Sequence, residues 1–213
     1  MWRPLLIIIL IFAALAGLYY YYNKPTLAQI DGTAIDASRN PIQHNLIRPK
    51  SFEKNKGILN LMINPMAKYS ISARILAKKR YVRGWESEVS PWDIVFGWGD
   101  AANLLYTKNL DIRQTVRWYS YKISTDIPME PQYIASHTSN NHIVPANDNI
   151  RKAILFLKEF DIVHLEGYLV NITGKRGNKY VSWISSLSRE DTGNGACEIF
   201  YVEKVKIGEK VYK

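Results

Sequence analysis

Asp161-Ile-Val-His-Leu-Glu-Gly167-Tyr-Leu-Val-Asn-Ile172 is the stretch on which the fold class turns. Val163 and Leu165 alternate with His164 and Glu166, the two-residue period of a strand with one buried face. That alternation turns His164 away from its apolar neighbours. Gly167 in the middle of the run marks a bulge or bend. Downstream, 174–178 is a basic turn, and Tyr180 to Leu187 and Glu198 to Ile207 read as the last two strands. Upstream, Asn147 caps a helix in which Ile150, Ile154 and Leu157 recur at helical spacing.

Further outward, Tyr69 to Val82 alternates as a strand through Ile71, Ala73, Ile75 and Ala77. Ser90-Pro-Trp-Asp93 carries the cap, proline and carboxylate of a helix start. Ala101 to Tyr106 predicts a second short helix, Ile112 to Ile123 a strand, and Gln132 to Ser136 a short strand after two prolines. The expectation is an α+β chain whose strand-rich domain has the order of an OB-like barrel, with a helix between strands 3 and 4. Another mixed α+β sheet fits the same order.

The N-terminus is different in kind. Leu5 to Leu18 holds no charged or polar side chain, and Tyr19 to Tyr22 follow. As a helix, residues 5–22 reach about 27 Å, near the hydrocarbon thickness of a bilayer, with tyrosines at the level of the interface. Residues 1–24 therefore predict a transmembrane anchor or uncleaved signal. Ala14-Leu-Ala16 leaves cleavage as the alternative. Arg3 favours a cytoplasmic N-terminus, which makes the chain a single-pass protein of an inner membrane with its C-terminal domain periplasmic or otherwise extracytoplasmic. Turn signals at Asp31-Gly32, Asn40-Pro41 and Arg48-Pro49 make 25–56 a spacer and 57–213 a basic α+β domain.

The net charge is +9, which suits anionic partners, although the basic residues are scattered and also suit a solvated surface. Cys197 is the single cysteine, so an intramolecular disulfide and an all-cysteine metal site are excluded.

The densest polar tract is Ser136-His-Thr-Ser-Asn-Asn-His142, expected as a loop. His137 and His142 could supply a general base, with asparagines as oxyanion donors. A zinc site would need a third ligand that the sequence does not supply, so no metal and no cofactor are expected. The alternative is a turn-rich loop bonded to its own backbone. The second tract runs from Ser185 to Glu198. Asp191-Thr-Gly lacks the apolar flank and the second copy that an aspartic protease requires. Gly193 and Gly195 flank Asn194, and with Arg189 such a loop could hold an anion. Cys197 could act as a nucleophile beside His137 or His142, or be a small buried residue. Arg117, Trp118 and Tyr119 place a cation beside rings on one expected strand, and could stack a sugar or a base.

The tracts from Ser90 to Gly99, Arg117 to Tyr119, Ser136 to Ala146 and Ser185 to Glu198 together resemble a group of small membrane-anchored bacterial proteins. The resemblance spans roughly Tyr69 to Val205. It implies a bacterial envelope setting and carries over no activity and no site residues. The function expected is a non-enzymatic anchored protein whose basic domain binds an envelope protein or anionic polymer, or stabilises an assembly. The alternatives are a hydrolase using the His137/His142 loop with the Asp191–Cys197 loop, and a single-stranded nucleic-acid binder, the latter less favoured for an exported domain.

Overall fold

The computed structural model describes residues 2–123, 128–188 and 197–213. In chain order they form α1 (Arg3–Asn23), β1 (Gln29–Ile30), β2 (Ile42–Asn45), β3 (Phe52–Lys56), β4 (Leu59–Arg80), α2 (Trp85–Val89), β5 (Trp92–Gly97), α3 (Leu104–Thr107), β6 (Leu110–Thr115), β7 (Trp118–Ile123), α4 (Pro131–Ser136), β8 (Thr138–Pro145), α5 (Asp148–Phe156), β9 (Ile162–Arg176), β10 (Lys179–Trp183), β11 (Glu198–Ile207) and β12 (Lys210–Tyr212). The chain is α+β, with an apolar N-terminal helix and a strand-rich domain. α1 has 21 residues, so it is about 31 Å long, and it is long and apolar enough to cross a membrane.

Among the described residues, all strands except β6 and β7 join one ten-stranded sheet. β4 pairs with β5, β5 with β8, β8 with β11, β11 with β9, and β9 with β4, so the pairings return to their start. Within this cycle only β8–β11 is parallel. All five strands send side chains to one cluster, including Tyr69, Phe96, Ile143, Leu165 and Phe200, and α5 adds Ile150, Ile154 and Leu157. Lys78 ties α5 to the sheet by donating from Nζ to the carbonyls of Ile154, Leu155 and Leu157 at 2.6, 3.0 and 2.8 Å.

Gly167 has the role its position suggested. β11 bulges between Val202 and Lys204 opposite it, and a β-carbon on Gly167 would collide with the Tyr201 carbonyl oxygen. β9 runs on past the expected end, through Gly174, to Arg176. The Asn147 cap forms as expected, its Oδ1 accepting from Ile150 N at 2.9 Å. Glu198 to Ile207 is a strand with the expected bounds.

Several elements differ from expectation. β4 begins ten residues before Tyr69, because Pro65 falls at a β-bulge, where a missing N–H is tolerated. Ser90-Pro-Trp-Asp93 does not start a helix. Ser90 N bonds to Glu86 O and closes α2, Pro91 blocks its continuation, and Trp92 to Gly97 is a wholly buried strand. Ile112 to Ile123 is a hairpin, not one strand. Thr115 pairs with Trp118 across Val116 and Arg117, both at positive φ (47° and 70°) with no glycine to announce the turn. Gln132 to Ser136 is the helix α4, with Pro131 at its first turn. Within 25–56, β1 pairs with β12, and β2 and β3 both pair with β4.

Candidate functional site

Trp92, Ile94 and Phe96 enter the main cluster, so alternation turns Asp93 to the opposite face of β5. Ile143 does the same for its neighbour His142 on β8. Asp93 and His142 are direct cross-strand partners. Cys197 immediately precedes β11, which runs parallel to β8 with Glu198 opposite Asn141. Arg117 arrives from the β6–β7 turn.

These side chains meet. Asp93 Oδ1 accepts from Arg117 Nη1 at 2.6 Å and from His142 Nδ1 at 2.9 Å. The Asp93 side chain is 0 % exposed and that of His142 5 %. A carboxylate paired with arginine only accepts, so His142 Nδ1 carries the proton of this bond. Among the described residues, His142 Nε2 has no hydrogen-bond partner, and Asp93 Oδ2 is buried without one. Arg117 Nη2 donates to Ser90 O at 3.0 Å, and the guanidinium lies 4.2 Å from the Tyr81 ring centre and 5.4 Å from that of Trp183.

The Arg117 backbone is held as tightly as its side chain. Its N–H donates to Tyr81 Oη at 3.1 Å, and its carbonyl accepts from Asn140 Nδ2 at 3.1 Å and Cys197 Sγ at 3.8 Å. These contacts hold a non-glycine residue in the left-handed region, a conformation that costs free energy and persists only where surroundings over-determine it. Asn140 Nδ2 also reaches Cys197 Sγ at 3.7 Å, while its Oδ1 accepts from Gln114 at 2.9 Å. Burial, above all, pushes the Tyr81 phenol above its ordinary value, and the Asp93 carboxylate adds to it. A cavity of about 440 Å³ opens over the cluster, lined by Arg117, Trp118, His142, Ser182, Trp183 and Cys197 among others.

The expected polar loop is therefore a strand. All of β8 is buried, and most of its polar side-chain groups bond to one another and to neighbours: Asn141 Nδ2 donates to Ser139 Oγ at 2.8 Å and Thr138 Oγ1 to Ile134 O at 2.7 Å, while Asn141 Oδ1 is buried without a partner among the described residues. Of the sequence candidates, His142, Cys197, Arg117 and Trp118 line one cavity. Tyr119 lies beside it, its Oη 2.9 Å from Thr138 Oγ1. His137 does not join them. It caps α4, stacks 3.8 Å from Tyr133, and lies five residues from His142, roughly 16 Å along an extended strand. Arg189, Asp191 and Asn194 lie outside the described residues. Among the described residues no three His, Cys, Asp or Glu side chains gather as a metal site would need.

Sequence reasoning gave no site role to Asp93, Gln114 or Trp183, and offered Asn140 as an oxyanion donor, not as the support of the Arg117 turn. Asp93 did carry a signal: it is the one charge inside the apolar run from Trp92 to Phe96. Read as a helix cap, that charge looked explained.

No family model, curated protein or solved structure matches this chain.

Proposed function

We propose that this is a membrane-anchored, extracytoplasmic binding protein whose domain is an OB-like barrel and whose ligand is an acidic glycan of the envelope. The anchor reading is supported by α1, and the extracytoplasmic reading by Arg3 ahead of the apolar run, which favours a cytoplasmic N-terminus. The barrel reading rests on the closed cycle of pairings, with α5 between the third and fourth of its strands. The observation that carries the function is where the cavity lies. It opens over His142 on the face of β8 turned away from the main cluster, and β8 is the third strand of the cycle; the face of the second and third strands is where such barrels bind oligosaccharides and oligonucleotides. Trp118 and Trp183 offer rings to stack a sugar, and a net charge of +9 draws an anionic polymer toward them.

The test is titration of the full chain in detergent with an acidic polysaccharide and, separately, with single-stranded DNA, followed by tryptophan fluorescence. Glycan binding that Trp118→Ala weakens roughly tenfold is expected, as for loss of one stacking platform. Binding unchanged in Trp118→Ala and Trp183→Ala, or no binding, overturns the reading. Binding of DNA alone transfers the site to nucleic acid.

A second reading, thiol-dependent hydrolysis, is favoured by one contact. Asp93 bonds to His142 Nδ1, and His142 and Cys197 line one cavity, the residue types of an orienter, base and nucleophile in triad chemistry. Alkylation of Cys197 by iodoacetamide that slows on the order of tenfold in a folded His142→Ala variant would support it. An unchanged rate would leave binding alone.

A further inference from the structure

We propose that the cleft between α1 and the domain binds one anionic phospholipid of the leaflet in which α1 ends. The proposal rests on the anchor reading above. The domain begins almost at once after the helix. α1 closes at Asn23, and Thr26 is already bonded to α5: its N–H donates to Asn149 Oδ1 at 2.6 Å and its carbonyl accepts from Asn149 Nδ2 at 2.9 Å. Ala28 N bonds to Val211 O at 2.9 Å, and β1 then pairs with β12. Lys24 and Pro25 alone lie between, and two residues reach about 7 Å at most. The base of the domain must therefore sit in the headgroup layer, at the level of Tyr19 to Tyr22.

At that level there is space of the right chemistry. A cavity of about 550 Å³ separates helix from domain, walled by the apolar surfaces of Tyr20, Ile30, Phe156 and Ile207 and flanked by Lys24 and Lys210. Tyr20 meets Phe156 edge to face at 5.6 Å, which fixes the helix against one wall. Ile30 is 60 % exposed, an apolar side chain that water does not favour and a lipid chain would cover. Lys24 and Lys210 are both exposed and have no carboxylate partner among the described residues, and with Glu209, which is exposed and lines the same cavity, the rim keeps a net positive charge. An acyl segment on the apolar wall with a phosphate between the lysines satisfies both halves of the cleft. A free phosphate would satisfy only one.

Native mass spectrometry of the full chain, released from detergent with phosphatidylglycerol or phosphatidylcholine added, tests this. The wild type should retain one phosphatidylglycerol in preference to phosphatidylcholine by roughly thirtyfold, the effect of two lysines at an anionic headgroup. Lys24→Gln/Lys210→Gln should lose that preference. Ile30→Glu should lose the bound lipid with both lysines intact, and excess glycerol phosphate should not displace it. Equal retention of the two lipids, an unchanged preference in the lysine variant, or displacement by glycerol phosphate overturns the proposal. Carbonate extraction of membranes separates the two readings. Release of the chain would overturn the anchor and this site together. Retention without lipid preference would overturn this site alone.

Discussion

Two histidine–carboxylate pairs sit on the outer face of the same strand cycle, and only one of them is enclosed. His142 bonds to Asp93 at 2.9 Å and His164 to Glu166 at 2.9 Å. Each carboxylate also accepts from a cation, Arg117 at 2.6 Å and Lys204 at 2.8 Å. The difference is cover. The Asp93 side chain is 0 % exposed and shares its space with the β6–β7 turn and Trp183, whereas the Glu166 side chain is 38 % exposed. In the open ladder Ser72 Oγ, His164, Glu166 and Lys204 follow from strand register, Ser72 facing His164 and Lys204 facing Glu166 across paired strands. Any cross-strand neighbours of that chemistry would bond this way. The enclosed cluster draws on β5, β8, a strained turn and the start of β11, and its burial penalises ions that water would otherwise solvate. Equal contact lengths therefore mean different things: one network is a local consequence of pairing, the other is maintained against a desolvation penalty.

The largest test of that contrast is Asp93→Asn. It leaves the Arg117 guanidinium enclosed without its counter-charge, and loss of one partner from a buried pair costs about 3–5 kcal/mol. Urea unfolding of the full chain in detergent should show that loss. Replacing Asp93 and Arg117 together by Leu and Met should recover most of it, because apolar side chains of similar volume carry no desolvation penalty. A change below about 1 kcal/mol in Asp93→Asn would put the enclosed pair in the same class as an exposed one.

Asn140→Ala probes the same region with a smaller expected effect. It removes the bonds to Gln114 and to the Arg117 carbonyl and leaves a buried amide and a buried carbonyl short of a partner, at about 1–3 kcal/mol. If the strained turn is held from this side, amide exchange at Trp118 should quicken while exchange in β9 stays slow. Uniform quickening across the sheet would mean that Asn140 supports the fold in general and not the turn.

What could be read in advance follows from how local each cause is. The Asn147 cap, the α5 stripe, the β11 bounds and the bend at Gly167 depend on residues adjacent in sequence, and all were legible. β8 was not, because its polarity looked solvated. Thr138 to His142 are buried only because Ile134, Asp93 and Gln114 supply partners from other elements. The Arg117 turn was hidden for a similar reason: its positive φ is held by Tyr81, Asn140 and Cys197, not by a glycine of its own. Half of the site, His142, Arg117, Trp118 and Cys197, was nameable from residue type. Asp93 was named too, but its capping assignment concealed that it is the centre. The sequence set Cys197 beside His142 only as one alternative and left Asp93 and Arg117 apart from them, since their convergence depends on the β5–β8 and β8–β11 pairings between distant segments.

Glu166→Gln should have the smallest effect and the clearest pH signature. Partial burial raises the carboxyl, but bonds from Lys204 and His164 outweigh it and hold the group below its ordinary value of 4.5. The folded state therefore releases this proton more readily than the unfolded chain does. Its contribution to stability is fully present above pH 4.5 and is lost as pH falls through the folded-state value. At 38 % exposure, water and salt screen the pair, so the wild type should exceed Glu166→Gln by no more than about 1 kcal/mol at pH 7. The gap should close as pH falls from 4.5 through the folded-state value, and should shrink in about 1 M salt, where screening acts within a few ångströms. Asp93→Asn should keep most of its effect in the same salt, because solvent ions do not reach an enclosed pair. If both variants responded equally to salt, enclosure would not distinguish the two networks, and the buried cluster would lose its claim to be more than a second surface ladder.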